Sequence, residues 1–336
     1  MKILIAGPLP TSKVSGGVAV FTKNLAKEAA DEGYKVLVAT DTKRKKSNED
    51  LLLNNIKLCS YCNVYRIKKF NPDIIISSLY YSFVLSFFNL KGKKIHILHG
   101  FTTLKHYSLQ KFFIMHLIDK SILKKYDFIL ANSKFTKFIN EEIFGNRVNG
   151  VFTIGLDSNE LLKCQKSNGP KSGVLYVGRL VKAKGVDKAL LAFLKLNREN
   201  SFNSNFTVAG YGNEYETLVH RFGDNKNIQF LGSIDHSKIQ ELYRKSKVFI
   251  SLNPSEPFGI TYEEAIANGL FVIAPDTGGQ VDFLTRYPGR YALVNVDNID
   301  SICEGIKKGL MSNLSNVSKE ELNNMSYIKT LKEIIN

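Results

Sequence analysis

Twelve short apolar runs recur along the chain, and most are continuous rather than alternating. KILIAG, YKVLVAT, DIIISS, KIHILHG, DFILANS and GVFTIG occupy the first half, and GVLYVG, NFTVAG, NIQFLG, KVFISL, LFVIAP and RYALVN the second. A strand with one wet face alternates apolar and polar side chains, whereas a parallel strand covered by helices on both faces does not need to. Helical stretches lie between many of these runs. Val18, Phe21, Leu25 and Ala29 share one face of a helix that Gly33 can close from the C′ position. Strands alternating with helices require right-handed βαβ crossovers, so the pattern predicts an α/β chain of two doubly wound, Rossmann-like domains. A length of 336 residues suits two domains as well. The boundary is expected in KCQKSNGPKSG, residues 163–173, which is polar and carries Gly and Pro. That gives domains at 1–165 and 166–318, with 319–336 as a helical tail packing back on the first.

Charge separates the two halves. The net charge is +15, but residues 1–150 hold 24 basic and 11 acidic side chains against 22 and 20 in the remainder. An anionic partner is therefore expected on the first half. Apolar residues at 44% and charged residues at 23% exclude a disordered or collagenous chain. No secretory leader is expected, because Pro8 and Pro10 interrupt the first apolar run. The uncharged stretch Ile74–Leu90 contains four Ser, two Tyr and an Asn and falls short of a bilayer span, which needs about 20 apolar residues. It reads better as a buried strand followed by an apolar helix. Cys59, Cys62, Cys164 and Cys303 suit a reducing cytoplasm. The lone CxxC at 59–62 has no second pair, so a buried thiol pair is expected there rather than a metal site.

The chemistry concentrates in a few loops. In NPSEPFGITYEEAIANG, residues 253–269, Pro257 and Gly259 suit a tight turn before a helix starting near Gly259 or Ile260. Free amides of Phe258, Gly259 and Ile260 at a positive dipole end would receive a phosphate or a polarised sugar oxygen. Glu256 and Glu264 bracket that turn, and carboxylates accept hydrogen bonds from vicinal hydroxyls. Glu263 is expected only to complement the dipole. Arg179 and Lys184, in the loop after GVLYVG, can clamp a pyrophosphate, with Gly178 and Gly185 permitting close approach. Gly210 and Gly212 mark another strand–loop turn, but Tyr215 replaces the third glycine of a dinucleotide fingerprint. Gly16 and Gly17 stand at a helix start and can also approach a phosphate.

These motifs, with IHILHG, ILANSKFT, IQFLGSID and PDTGGQVDFL, make the chain resemble glycosyltransferase family 4 over nearly its whole length. That family is a retaining group with the two-domain GT-B fold. The resemblance implies an acceptor-side first domain and a second domain that binds a nucleotide sugar. It places Arg179 and Lys184 on the donor pyrophosphate, with Gly17, Gly178 and Gly210 close to the donor. Glu264 falls on the ribose, Glu256 on the transferred sugar with the backbone of Phe258, Gly259, Ile260 and Thr261, and Ile234 near the base. His99 would lie beside the anomeric carbon, while His96 points elsewhere. Two departures stand out: Thr153–Ile154–Gly155–Leu156–Asp157 lacks the usual Pro-Asn-Gly, and Asp282 stands where a Glu often follows the glycine pair.

No D-x-D occurs and no metal-ligand spacing is present, so metal-independent transfer with retention is expected, the basic pair stabilising the leaving group. The expected reaction moves a sugar from a UDP- or GDP-linked donor to a hydroxyl of a glycan or lipid-linked acceptor in bacterial surface polysaccharide synthesis, with no cofactor. Two alternatives stand beside it: a nucleotide-sugar epimerase on the same fold, and a basic membrane- or nucleic-acid-binding protein. No nucleic-acid motif is present. Cytoplasmic location with peripheral attachment is expected from the +13 of residues 1–150, the KRKK run at 43–46, and the segment 103–126, where lysines interleave with aromatic and aliphatic residues.

Overall fold

The computed structural model describes residues 1–10, 16–41, 56–101, 116–117, 120–157, 161, 169–200 and 204–336. The chain divides into two compact units, Met1–Asp157 with Ser326–Asn336, and Ser158–Met325. Among the described residues the first holds seven strands: β1 (Lys2–Ala6), β2 (Lys35–Thr40), β3 (Lys57–Ser60), β4 (Ile74–Ser78), β5 (Lys93–Leu98), β6 (Phe128–Ala131) and β7 (Gly150–Val151). The second holds β8 (Ser172–Val177), β9 (Phe206–Ala209), β10 (Ile228–Gly232), β11 (Ser246–Ile250), β12 (Phe271–Pro275) and β13 (Tyr291–Val294).

Both sheets are parallel throughout, in the orders β3-β2-β1-β4-β5-β6-β7 and β10-β9-β8-β11-β12-β13. The order reverses direction between β1 and β4, and again between β8 and β11. Crevices open beyond the carboxyl ends of strands at such points, and there doubly wound sheets bind ligands. The continuous apolar runs are explained by burial: Ile3, Leu4, Ile75, Ile76, Val248, Phe249 and Ile250 are all at most 1% exposed. β3 escapes the apolar-run pattern because KLCS alternates, and the expected strand GVFTIG shrinks to Gly150–Val151.

The helix Gly17–Asp31 buries Phe21, Leu25 and Ala29 and ends as expected. Gly33, at φ +82°, donates to Ala30, and Tyr34 donates to Ala29, which satisfies two end carbonyls in a Schellman arrangement. The division after Asp157 lies before the expected 163–173, and the expected tail 319–336 is split. Lys27 holds Asp157 in the first unit at 3.2 Å, while Arg290 binds the Ser315 and Asn316 carbonyls and keeps that stretch, with the helix Lys319–Asn323, in the second. From Ser326 the chain bridges to Leu156 and enters the first unit as the helix Tyr327–Ile335. Gly155 makes this possible, since a Cβ there would sit 2.4 Å from the Ser326 carbonyl carbon. Cys59 is buried but Cys62 is exposed, so the expected buried thiol pair does not exist.

Phe21 ties this unit together, with its ring 5.8 Å from Phe152 and 6.3 Å from Tyr327. Phe21→Ala should destabilise the first unit by about 3–5 kcal/mol in urea unfolding. It should also accelerate amide exchange across Tyr327–Ile335. Unchanged protection of that helix would show that it is held independently of Phe21.

Candidate functional site

In the second unit three adjacent strands, β8, β11 and β12, send out loops that are tied to one another. The loop after β8 ends in a short 3-10 turn, Lys182–Lys184, closed by Gly185 at φ +60°. The Lys184 carbonyl accepts from the Leu252 amide at 3.1 Å, just beyond β11. A Cβ on Gly185 would lie 2.9 Å from that of Leu252, so glycine is needed for both conformation and contact. The Lys184 ammonium forms an ion pair with the Glu256 carboxylate, which also accepts from Asn253 Nδ2 at 3.0 Å. From β12, Gly279 donates its amide to the Glu256 carbonyl at 2.7 Å, and Thr277 Oγ1 donates to that of Pro254 at 3.2 Å. The motif pattern does not single out Asn253, Thr277 and Gly279, because their work is uncharged hydrogen bonding to the Glu256 loop, which no charge or spacing announces.

The helix Ile260–Ala267 starts where expected, behind Gly259 at φ +83°. A Cβ on Gly259 would fall 2.4 Å from the Tyr262 ring, and the Tyr262 hydroxyl donates to the Ser251 carbonyl at 2.8 Å. Among the described residues no hydrogen bond engages the amides of Phe258, Gly259 and Ile260. They remain donors at the positive end of the helix. Thr261 follows in the first turn. Glu264, 8% exposed, accepts from the Tyr243 hydroxyl at 2.8 Å. Glu263 stands in the first turn, where a carboxylate complements the dipole as expected, and it does so fully buried. The continuous burial of Tyr262–Ala267 takes that position inward.

Arg179 is exposed and forms no ion pair among the described residues. Its carbonyl accepts from the Tyr176 hydroxyl at 2.7 Å, and burial raises the Tyr176 pKa, keeping that phenol a donor. Gly178, at φ +152°, precedes it. Gly210 and Gly212 have a packing reason: a Cβ on Gly210 would lie 1.8 Å from the Gly178 oxygen, and one on Gly212 2.3 Å from that of Leu180. The turn after β9 thus braces the Arg179 loop. Ile234 sits partly exposed in the loop after β10.

In the first unit Gly16 and Gly17 present the opposite case. Neither has positive φ, and a Cβ on either would meet nothing within 4 Å. Neither backbone conformation nor packing with the described residues asks for glycine there. His99 follows β5, with Nε2 3.0 Å from Ser78 Oγ and its ring edge-on to Phe21 at 4.8 Å. Desolvation, helped by His96, lowers its pKa to about 3, so it is neutral near pH 7. His96 turns away to Ser82 Oγ, 2.6 Å from Nδ1, and desolvation lowers it to about 4. Among the described residues no group of three or more His, Cys, Asp or Glu could hold a metal ion. The KRKK run and most of the segment 103–126 lie outside the described residues; Lys120, Lys124 and Lys125 are exposed.

Comparison with known proteins adds ancestry to this geometry. Residues 157–329 match the family described as glycosyl transferases group 1, and residues 15–148 match glycosyltransferase family 4. An uncharacterized glycosyltransferase of Methanocaldococcus jannaschii is 26% identical across 94% of this chain and 92% of its own. Two crystal structures share the fold. One is a glycosyltransferase from Rickettsia africae, with TM-score 0.74 and 21% identity over 99% of this chain and 96% of its own. The other is Anabaena HepE in complex with UDP and glucose, with TM-score 0.71 and 16% identity over 99% and 94%.

The two histidines give the first unit an acid sensitivity. Below pH 6.5 the unfolded chain protonates both, while the folded unit binds neither proton until about pH 4 and then 3. Stability should therefore fall as pH drops below 6.5, by about 1.4 kcal/mol per histidine per pH unit. Urea titrations at pH 7.5 and 5.5 should show this slope flattened in a His96→Gln, His99→Gln protein. An equal slope in that variant would refute the assignment.

Proposed function

The chain belongs to the glycosyl transferases of group 1, and on that footing we propose that it transfers a sugar from a UDP- or GDP-linked donor to a hydroxyl of a glycan or lipid-linked acceptor in bacterial surface polysaccharide synthesis. The observation that carries this reading is the joining of Lys184 and Glu256 across two loops, at the start of a helix whose first amides have no partner among the described residues. Cation, carboxylate and amide donors then converge where strand order reverses. A diphosphate needs the first and third, and a sugar needs the second. HepE, of the same fold, was solved with UDP and glucose, which supports a nucleotide at a site of this kind.

In the proposed arrangement Arg179 and Lys184 bind the diphosphate, joined by the amides of Phe258, Gly259 and Ile260. Gly17 lets a phosphate approach the first unit's helix, where a Cβ would meet none of the described residues within 4 Å. Glu264, oriented by Tyr243, accepts from the ribose; Thr261 and Gly178 line the donor, and Ile234 contacts the base. Glu256 accepts from the hydroxyls of the transferred sugar. When the glycosidic C–O bond breaks, charge grows on the diphosphate, and fixed cations and amide dipoles stabilise it without reorganisation. Transfer is proposed to retain configuration and to need no metal ion. The acceptor hydroxyl attacks from the leaving-group side and gives its proton to a donor phosphate oxygen, so no side-chain base is required. His99, neutral and fixed by Ser78 and Phe21, positions the sugar and adds no positive charge beside the forming oxocarbenium.

The first half's excess of lysine supports peripheral attachment to an anionic membrane on its cytoplasmic face. Lys125 lies 4.6 Å over the ring of Phe87, which is 64% exposed. Cation and aromatic thus stand together at the surface, the two residue types that interfacial sites combine. Among the described residues no helix is long and apolar enough to cross a membrane.

Calorimetry in excess chelator tests the donor assignment. UDP or GDP should bind, and Arg179→Ala or Lys184→Ala should each weaken it by about 1.5–3 kcal/mol. Glu264→Ala should weaken nucleotide and nucleotide sugar alike. Glu256→Ala should weaken only the nucleotide sugar, since the hydroxyls it accepts from are on the transferred sugar, while Lys184, freed from its ion pair, still meets the diphosphate. Affinity that vanishes with the metal, or survives in both basic variants, would refute the proposal.

A further inference from the structure

At the carboxyl end of the first sheet, three tyrosines gather around one carboxylate. Asp41 follows β2, Tyr61 follows β3, and Tyr80 and Tyr81 follow β4. The Tyr80 hydroxyl donates to Asp41 Oδ2 at 2.7 Å, and the Tyr81 hydroxyl donates to Oδ1 at 2.8 Å. Their rings stack at 4.3 Å and 23°, and Tyr61 stands edge-on to both, at 5.8 and 5.1 Å. Tyr81 is buried, whereas Tyr80 is 48% exposed and Asp41 is exposed. The residue that delivers them is Leu79, with φ +54° and 47% of its surface exposed. A bulky residue in the left-handed region is a genuine outlier, and such strain gathers at functional sites. Packing does not account for it, because Leu79 itself is half in water. β4 also borders the reversal point of this sheet, where ligands of doubly wound folds lie.

We infer that Asp41, Tyr61, Tyr80 and Tyr81 form a subsite for a neutral pyranose ring, at the carboxyl end of the first sheet. Oδ1 accepts from Tyr81 and, at 3.5 Å, from Thr40 Oγ1, whereas Oδ2, whose side-chain donor is Tyr80, is the oxygen left to take a ligand hydroxyl. Burial raises the Asp41 pKa, but the Tyr80 and Tyr81 hydroxyls outweigh it and hold the carboxyl below its ordinary value. An ionised acceptor repels phosphates and favours hydroxyl donors. The exposed Tyr80 face is electron-rich and receives the slightly positive C–H face of a sugar ring. The chain has 15 Tyr and no Trp, so a phenol is the broadest flat surface it can offer. A cationic ligand would also suit a carboxylate beside an aromatic ring. It would have to approach a half-chain in which basic residues exceed acidic ones by more than two to one. That the bound ring belongs to the acceptor rests on the glycosyl-transfer reading; that it is a neutral pyranose does not.

Saturation-transfer NMR on the full chain tests this with millimolar methyl glucopyranosides, methyl galactopyranosides and methyl N-acetylglucosaminides, and with UDP and GDP in separate samples. The ring protons of at least one glycoside should be saturated. That signal should fall at least fivefold in Tyr80→Ala and in Asp41→Asn, while saturation of UDP or GDP stays as in the unaltered protein. Tyr80→Phe, which keeps the ring, should retain more signal than Tyr80→Ala. No saturation of any glycoside, or equal saturation in Tyr80→Ala, would overturn the subsite. Tyr80-dependent glycoside binding without any nucleotide binding would support the subsite and contradict the donor reading instead.

Discussion

The ion pair between Lys184 and Glu256 joins loops that leave neighbouring strands, and the arrangement of the second unit's site depends on it. Both side chains are more than three-quarters buried. Losing either would leave a partly desolvated charge without its partner. Around it, the Leu252 amide fixes Lys184 from one side, and the Gly279 amide fixes Glu256 from the other. In the proposed donor complex a diphosphate draws Lys184 toward itself and leaves Glu256 to the hydroxyls of the sugar, which couples nucleotide and sugar through one exchange of partners.

Around that pair, parallel topology supplies the frame. Each sheet reverses its strand order once, and each reversal point carries unusual chemistry. In the second unit it is the ion pair and the amides that no described residue engages; in the first it is Leu79 with its tyrosines. The glycines divide by physical cause. Gly185, Gly210, Gly212 and Gly259 are fixed by backbone or ring atoms that a Cβ would strike. At Gly16 and Gly17 a Cβ would meet none of the described residues within 4 Å.

Much of this was legible in the residues because burial writes itself into pattern. Eleven of the twelve apolar runs became strands at nearly their expected bounds, and the helix start at Ile260 was marked by Pro257 and Gly259. What pattern does not encode is tertiary satisfaction of polar groups. Glu263 and Glu264 are adjacent carboxylates, yet one is fully buried and the other is held by Tyr243, twenty-one residues away. β3 was missed because KLCS is short and alternating. The division after Asp157 depends on Lys27 and Arg290, whose partners lie far along the chain. Tyr80 and Tyr81 read as part of an apolar helix. Only the approach of β2 and β4 to the two sides of β1 reveals that they converge on Asp41.

A crystal structure of the full chain with bound UDP or GDP would test the central claim most directly. The account predicts the diphosphate within hydrogen-bond distance of Arg179, Lys184 and the Phe258–Ile260 amides, with the ribose on Glu264 and the Lys184–Glu256 pair opened. A nucleotide bound elsewhere, with that ion pair intact, would contradict it.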